Sequence, residues 1–181
     1  MNHMSRYHPL LVTLHWLLAV LIIAALAIGF FWLAAMPNSD PRKINVLLVH
    51  MAGGMLILAM MVIRFTARMW TAKPPTATTG NPLLDRITPV IHYGFYILVV
   101  LMAGTGFGTA ILARLNEIVF AGSGEPLPPT LKIYPTRVAH GYIALFLLGF
   151  IILHVAAALY HQFVRKDGLF RRMSFGRSES N

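Results

Sequence analysis

Four stretches of the chain hold no Asp, Glu, Lys or Arg, and each is at least 20 residues long. They lie between Arg6 and Asp40, Lys43 and Arg64, Arg86 and Arg114, and Arg137 and Arg165. About 20 apolar residues carry a helix across the hydrocarbon core of a bilayer, and in lipid a helix is the simplest way to satisfy every backbone polar group. An all-α, integral membrane four-helix bundle is therefore predicted. It forms a single membrane domain over 1–181, with spans near 9–35, 44–69, 86–113 and 135–164. Pro9 suits a first helical turn. Met36-Pro37-Asn38-Ser39-Asp40-Pro41 reads as a stop, and Lys73-Pro74-Pro75 and Gly80-Asn81-Pro82 as a polar linker. Gly122-Ser123-Gly124 with Pro126, Pro128 and Pro129 argues against a long helix in the connection from Arg114 to Tyr134.

The remaining composition excludes several chemistries. With no cysteine, disulfides, iron–sulfur clusters, thiol catalysis and covalent Cys-x-x-Cys-His haem attachment are ruled out. The first span is too long for a signal-peptide core and is expected to be retained. The net charge of +9 fits topology and anionic membrane lipid, and no nucleic-acid partner is expected. One side would carry Arg6, Arg64, Arg68, Lys73, Arg86, Arg165, Lys166, Arg171, Arg172 and Arg177. The other would carry Arg42, Lys43, Arg114, Lys132 and Arg137. Ten cations against five predicts both termini in the cytoplasm of a multi-pass inner-membrane protein.

Ionisable residues inside spans are functional by default, and here they are histidines. At about 1.5 Å per residue, His15 lies roughly 14 Å beyond Arg6 and His154 roughly 16 Å before Arg165. His50 lies roughly 10 Å from Lys43 and His140 roughly 5 Å from Arg137, both near the opposite face. The depths pair His15 with His154, and His50 with His140. His140 and His154 are 14 residues apart, close to four turns, so one face of span four carries both, roughly 21 Å apart along the axis. Gly53, Gly54, Gly141 and Gly29 leave room beside these positions for a flat ring. Two neutral imidazoles fill the axial positions of a porphyrin iron, whereas zinc would seek three or four ligands, often Cys, Asp or Glu. Two b-type haems are thus expected in the bundle core, and bis-histidine ligation points to electron transfer. Arg64 and Arg68, on the His50 face, are placed to neutralise haem propionates or anionic lipid, or simply follow the positive-inside pattern. His92 could replace a ligand, bond a propionate or line a quinone pocket. His161, one heptad beyond His154, is a candidate proton carrier for a quinone or a plain interfacial histidine.

The stretches Leu14-His15-Trp16, Val49-His50-Met51-Ala52-Gly53 with Arg64 and Arg68, Ala139-His140, and His154-Val155-Ala156-Ala157-Ala158-Leu159-Tyr160-His161, with Lys166-Asp167-Gly168 and Arg171, Arg172 and Met173, together resemble the bacterial cytochrome b561 family. The likeness covers nearly the whole chain and is weakest from Gly122 to Pro129. It implies a di-haem b cytochrome of the inner membrane, with haem ligands at His15, His50, His140 and His154 and a link to ubiquinone. One branch of that family is a superoxide oxidase, which passes electrons from periplasmic superoxide to ubiquinone. A superoxide:ubiquinone oxidoreductase is the expectation, with Arg42, Lys43, Lys132 and Arg137 as a basic mouth that attracts the anion or as ordinary flanking charges. Related four-helix b subunits serve nickel–iron hydrogenase and formate dehydrogenase. The alternative is therefore a membrane anchor and electron conduit for a separate dehydrogenase subunit, for which the short loops offer limited docking surface.

Overall fold

The computed structural model describes residues 6–72 and 82–174, apart from the side chains of 82–88, 92 and 169. Four long helices account for most of it: α1 (Pro9–Ala27), α2 (Arg42–Trp70), α3 (Pro82–Leu112) and α4 (Pro135–Leu159). Two of them run on as π-helix, α1 through Ile28–Leu33 and α4 through Tyr160–Arg165. All four are long and apolar enough to cross a membrane. Pro82 starts α3 four residues before the expected Arg86, and Pro89 lies inside it. The expected linker at Lys73-Pro74-Pro75 and Gly80-Asn81, and Arg177 in the basic tail, lie outside the described residues.

Local sequence sets the ends. His8 caps α1, its Nδ1 accepting the Leu10 N–H at 3.3 Å ahead of Pro9 in the first turn. Pro135 plays the same first-turn part for α4. Large apolar side chains face outward all round the bundle, among them Val20, Phe31, Ile97, Phe146 and Phe163. That surface suits lipid as solvent rather than water.

The interior is built in layers. At the end with the interhelical loops, Leu47, Ala110, Ala113, Leu115, Ile118, Val119 and Leu127 form one cluster. Leu18, Ile57, Met61 and Val99 form another, and Leu26, Ala144 and Leu147 a third. The most extensive packing joins α3 to α4, followed by α1 to α2. Small residues permit the first of these approaches, as in membrane helix pairs generally. A Cβ at Gly108 would stand 3.0 Å from Thr136 Cγ2, and the Thr109 and Thr136 hydroxyls hydrogen-bond each other at 3.0 Å. Gly104, on the same helix, faces open space. Gly108→Val is expected to destabilise the bundle by about 1–3 kcal/mol through overpacking, whereas Gly104→Ala does not. Thermal unfolding of both variants in the same detergent tests the difference.

Candidate functional site

Each inward histidine of α4 meets an imidazole from another helix. The His140 and His50 ring centroids are 6.2 Å apart with planes at 74°. Those of His154 and His15 are 6.1 Å apart with planes at 69°. With a metal–imidazole bond of about 2.0 Å, two rings bound to one ion from opposite sides have centroids about 6.3 Å apart. Both pairs stand at that spacing. Among the described residues no group of three or more His, Asp or Glu gathers to hold an ion alone. The donor sets therefore suit an iron whose remaining positions belong to a porphyrin.

The surroundings of the two pairs differ. At the loop end, His140 Nδ1 lies 3.1 Å from the Met102 carbonyl and 3.2 Å from Thr105 Oγ1. Among the described residues the buried His50 Nδ1 has no hydrogen-bond partner, and the Ala25 backbone is the polar group that acts on the His50 imidazole. Backbone comes close to both rings. A Cβ on Gly106 would lie 3.3 Å from His140 Cε1, and one on Gly29, in the π-helical end of span one, 3.6 Å from His50 Cε1. Gly53 and Gly54, expected to clear space beside His50, face nothing within 4 Å.

At the end bearing the termini, the His154 ring meets Phe95 edge-on at 5.5 Å and the His15 ring meets Trp16 at 5.3 Å. The chain after α4 folds back over this end. Lys166 and Gly168 take left-handed conformations (φ 53° and 69°), and a 3₁₀ turn follows at Leu169–Met173. Trp16 Nε1 donates to the Met173 carbonyl at 2.8 Å and Tyr7 N–H to the Arg172 carbonyl at 3.2 Å. Phe170 packs edge-on against Trp16 at 6.1 Å. His161 Nδ1 lies 2.6 Å from Asp167 Oδ2, which also lies 3.5 Å from Arg165 Nε. Arg64 is buried and donates to the Leu11 carbonyl; Arg68 lies one turn further on, in the last turn of α2. His92 is on α3, but its side chain is outside the described residues.

The expected basic mouth divides. Arg42 is paired with Asp40 at 2.7 Å, and its guanidinium holds the Asp40 carboxyl below the usual carboxylate range. Lys43 is buried, with Nζ donating to the Met36 carbonyl. Arg137 is half-buried, its Nη1 3.3 Å from where a Gly141 Cβ would stand. Lys132 is exposed. Arg114 pairs with Glu117 and Glu125. Among the described residues at this end, Lys43, Lys132 and Arg137 thus pair with no carboxylate.

Sequence reasoning passed over Met102, Thr105, Thr109 and Thr136. The available signal was Gly104-Thr105-Gly106-Phe107-Gly108-Thr109, a run of small and hydroxyl residues in an apolar span, the usual dress of a membrane helix interface.

A family model for prokaryotic cytochrome b561 matches residues 6–176. The chain is 26% identical to the "Probable superoxide oxidase CybB" of Yersinia pestis, over 93% of this chain and 96% of the relative. It is 22% identical to the "Cytochrome b561 homolog 2" of Escherichia coli strain K12, over 99% of this chain and 96% of the relative. It is 25% identical to the "Cytochrome b562" of Cereibacter sphaeroides, over 96% of this chain and 98% of the relative.

The different settings of Lys43 and Arg42 predict different consequences of removing them. Lys43→Met strands the Met36 carbonyl and is expected to cost about 1–3 kcal/mol. Arg42→Ala removes only a surface pair and is expected to leave the melting temperature close to that of the parent. Melting curves in detergent decide, and equal losses would contradict the distinction.

Proposed function

Because this chain belongs to the prokaryotic cytochrome b561 family, whose members are b-haem membrane electron-transfer proteins, we propose that it is a di-haem superoxide:ubiquinone oxidoreductase. His50 with His140 and His15 with His154 are the axial ligands, and both termini face the cytoplasm. The observation that carries the reading is the pair of imidazole couples at 6.1 and 6.2 Å, four turns apart on one helix. Bound there, two b haems supply one-electron carriers, one towards each face of the bilayer.

The net reaction balances as follows: two superoxide anions each lose one electron and leave as dioxygen, while one ubiquinone takes up both electrons and two protons. Lys43, Arg137 and Lys132 hold positive charge at the loop end, where an anion would arrive; such steering raises on-rates and fades with salt. Arg42, neutralised by Asp40, adds little to it. At the opposite end, His161 is the residue suited to move protons. Asp167 holds its Nδ1 side, which leaves Nε2 as the atom that gives or takes a proton. His92 is the second candidate there. Arg64 and Arg68 hold positive charge at the same end, suited to propionates or anionic lipid. The superoxide oxidase name of the Yersinia pestis relative supports this reading over the dehydrogenase conduit.

Haem quantification tests the ligands. His15→Ala and His154→Ala are each expected to lose the same one of two spectral components, and His50→Ala and His140→Ala the other. Loss of both haems from every variant, or of neither, contradicts the pairing. Stopped-flow decay of superoxide with a soluble quinone tests the reaction. Acceleration that weakens with salt and in the Lys132→Ala/Arg137→Ala double variant is expected. No acceleration above spontaneous dismutation rules the reaction out, and co-purification of a dehydrogenase subunit would favour the conduit.

A further inference from the structure

The two imidazoles of the loop-end couple are not held alike. Among the described residues His50 Nδ1 is buried with no hydrogen-bond partner, and only the Ala25 backbone acts on that imidazole as an acceptor. His140 Nδ1 is bracketed by the Met102 carbonyl at 3.1 Å and Thr105 Oγ1 at 3.2 Å. The proton inventory around Thr105 decides what this bracket does. A threonine hydroxyl has one proton and two lone pairs. Thr105 Oγ1 approaches the Leu101 carbonyl at 2.7 Å and the Met102 carbonyl at 3.1 Å, and only a donated proton satisfies contacts to carbonyl oxygens. Its proton is therefore committed to its own helix, and towards His140 it offers a lone pair. Both groups facing His140 Nδ1 are then acceptors, so that nitrogen carries the ring proton. Nε2 is left with the lone pair that a metal needs.

The site is also mechanically closed. Gly106, the next residue after Thr105, brings backbone so near that a Cβ would lie 3.3 Å from His140 Cε1. One turn on, the Thr109 hydroxyl donates its proton to the Thr105 carbonyl at 2.8 Å and stands 3.0 Å from Thr136 Oγ1, towards which it offers a lone pair. Thr136 lies one turn before His140 on α4. A hydroxyl thread thus ties the helix that carries the ligand to the helix that carries its acceptors.

We infer that Thr105, with the Met102 carbonyl, is a positioning residue that fixes the tautomer and rotation of His140 and strengthens it as an electron donor relative to His50. The inference rests on the haem ligation proposed above. Acceptors on the distal nitrogen of a ligating histidine raise its basicity, which stabilises the oxidised metal and lowers the midpoint potential of that centre.

Redox titration of the full-length protein in detergent, with haem content measured on each sample, is the test. The wave of the loop-end centre is the one missing from His50→Ala. In Thr105→Val that wave is expected to rise by about 30 mV, a threefold shift of the one-electron equilibrium at about 59 mV per tenfold. The other wave stays in place, and Thr105→Ser restores the parent value. Should Thr105→Val fail to load haem, Thr105→Cys, with a weaker acceptor in the same place, is read in the same way. Unmoved potentials in a variant that holds both haems overturn the inference alone, as does an equal shift of both waves. Parent protein without b-type haem overturns the ligation proposal and this inference with it.

Discussion

Lipid offers apolar helices no reward for meeting one another, because a leucine is as well solvated by acyl chains as by another leucine. What separates the inside of this bundle from its outside is the polarity it must turn away from hydrocarbon. An imidazole left facing lipid has no partner for its ring nitrogens, and a buried polar group without one is costly. The 14-residue interval between His140 and His154 therefore fixes which face of α4 is internal. Once that face is set, α2 must bring His50 to one level and α1 must bring His15 to the other. The regular α-helix of α4 spans both histidines, from Pro135 to Leu159, and the π turns begin only at Tyr160. The stretch that sets the spacing of the two couples is kept regular, and the irregular backbone lies beyond it.

The two ends are finished by different means. Around His50 and His140 the enclosure is backbone and hydroxyl: Gly29, Gly106 and the threonines of α3. Around His15 and His154 it is aromatic, with Trp16, Phe95 and the returning 3₁₀ turn. That turn is held by the Trp16 Nε1–Met173 and Tyr7–Arg172 hydrogen bonds. It needs the left-handed Lys166 and Gly168 to reverse direction, and the Lys166 conformation costs about 1 kcal/mol or more for a side chain with a Cβ. The Asp167 carboxylate between them receives both His161 and Arg165, which accounts for a sharp reversal at this point in the sequence.

Much of the architecture was legible because membrane depth is a one-dimensional quantity. Counting residues from flanking cations matched His15 with His154 and His50 with His140 without knowledge of helix crossing angles, and in the fold those same rings stand 6.1 and 6.2 Å apart. What could not be counted is azimuth and local bonding. Lys43 and Arg42 are adjacent and chemically alike in a charge tally, yet one turns inward to a carbonyl and the other outward to Asp40. Arg64 was read through its charge, while its packing joins α2 to the Leu11 carbonyl of α1. Gly53 and Gly54, three and four residues from His50, border open space, while Gly29, found by counting from His15 along α1, approaches the His50 ring. The close approach of Gly106 to His140 comes from α3, where no histidine spacing pointed to it. Thr105 was invisible because threonine in an apolar span normally satisfies itself on its own helix, as its contact with Leu101 does here.

That contact also bears on the direction of electron flow. Arg137 acts on both His50 and His140, and Arg64 is held against the Leu11 carbonyl at the other end; on the haem ligation proposed above, positive charge near a centre favours its reduced state. Hydrogen bonding to a ligand is a separate lever, and on the ligation and tautomer proposed above it acts at His140 in one direction, lowering the potential of the loop-end centre. On the proposed reading superoxide delivers its electron at that end. A lowered potential there makes onward transfer towards the His15–His154 couple more favourable and return less so. A hydroxyl whose own proton is spent on a helical carbonyl can thereby contribute to the sense of transfer across the membrane without touching donor or acceptor.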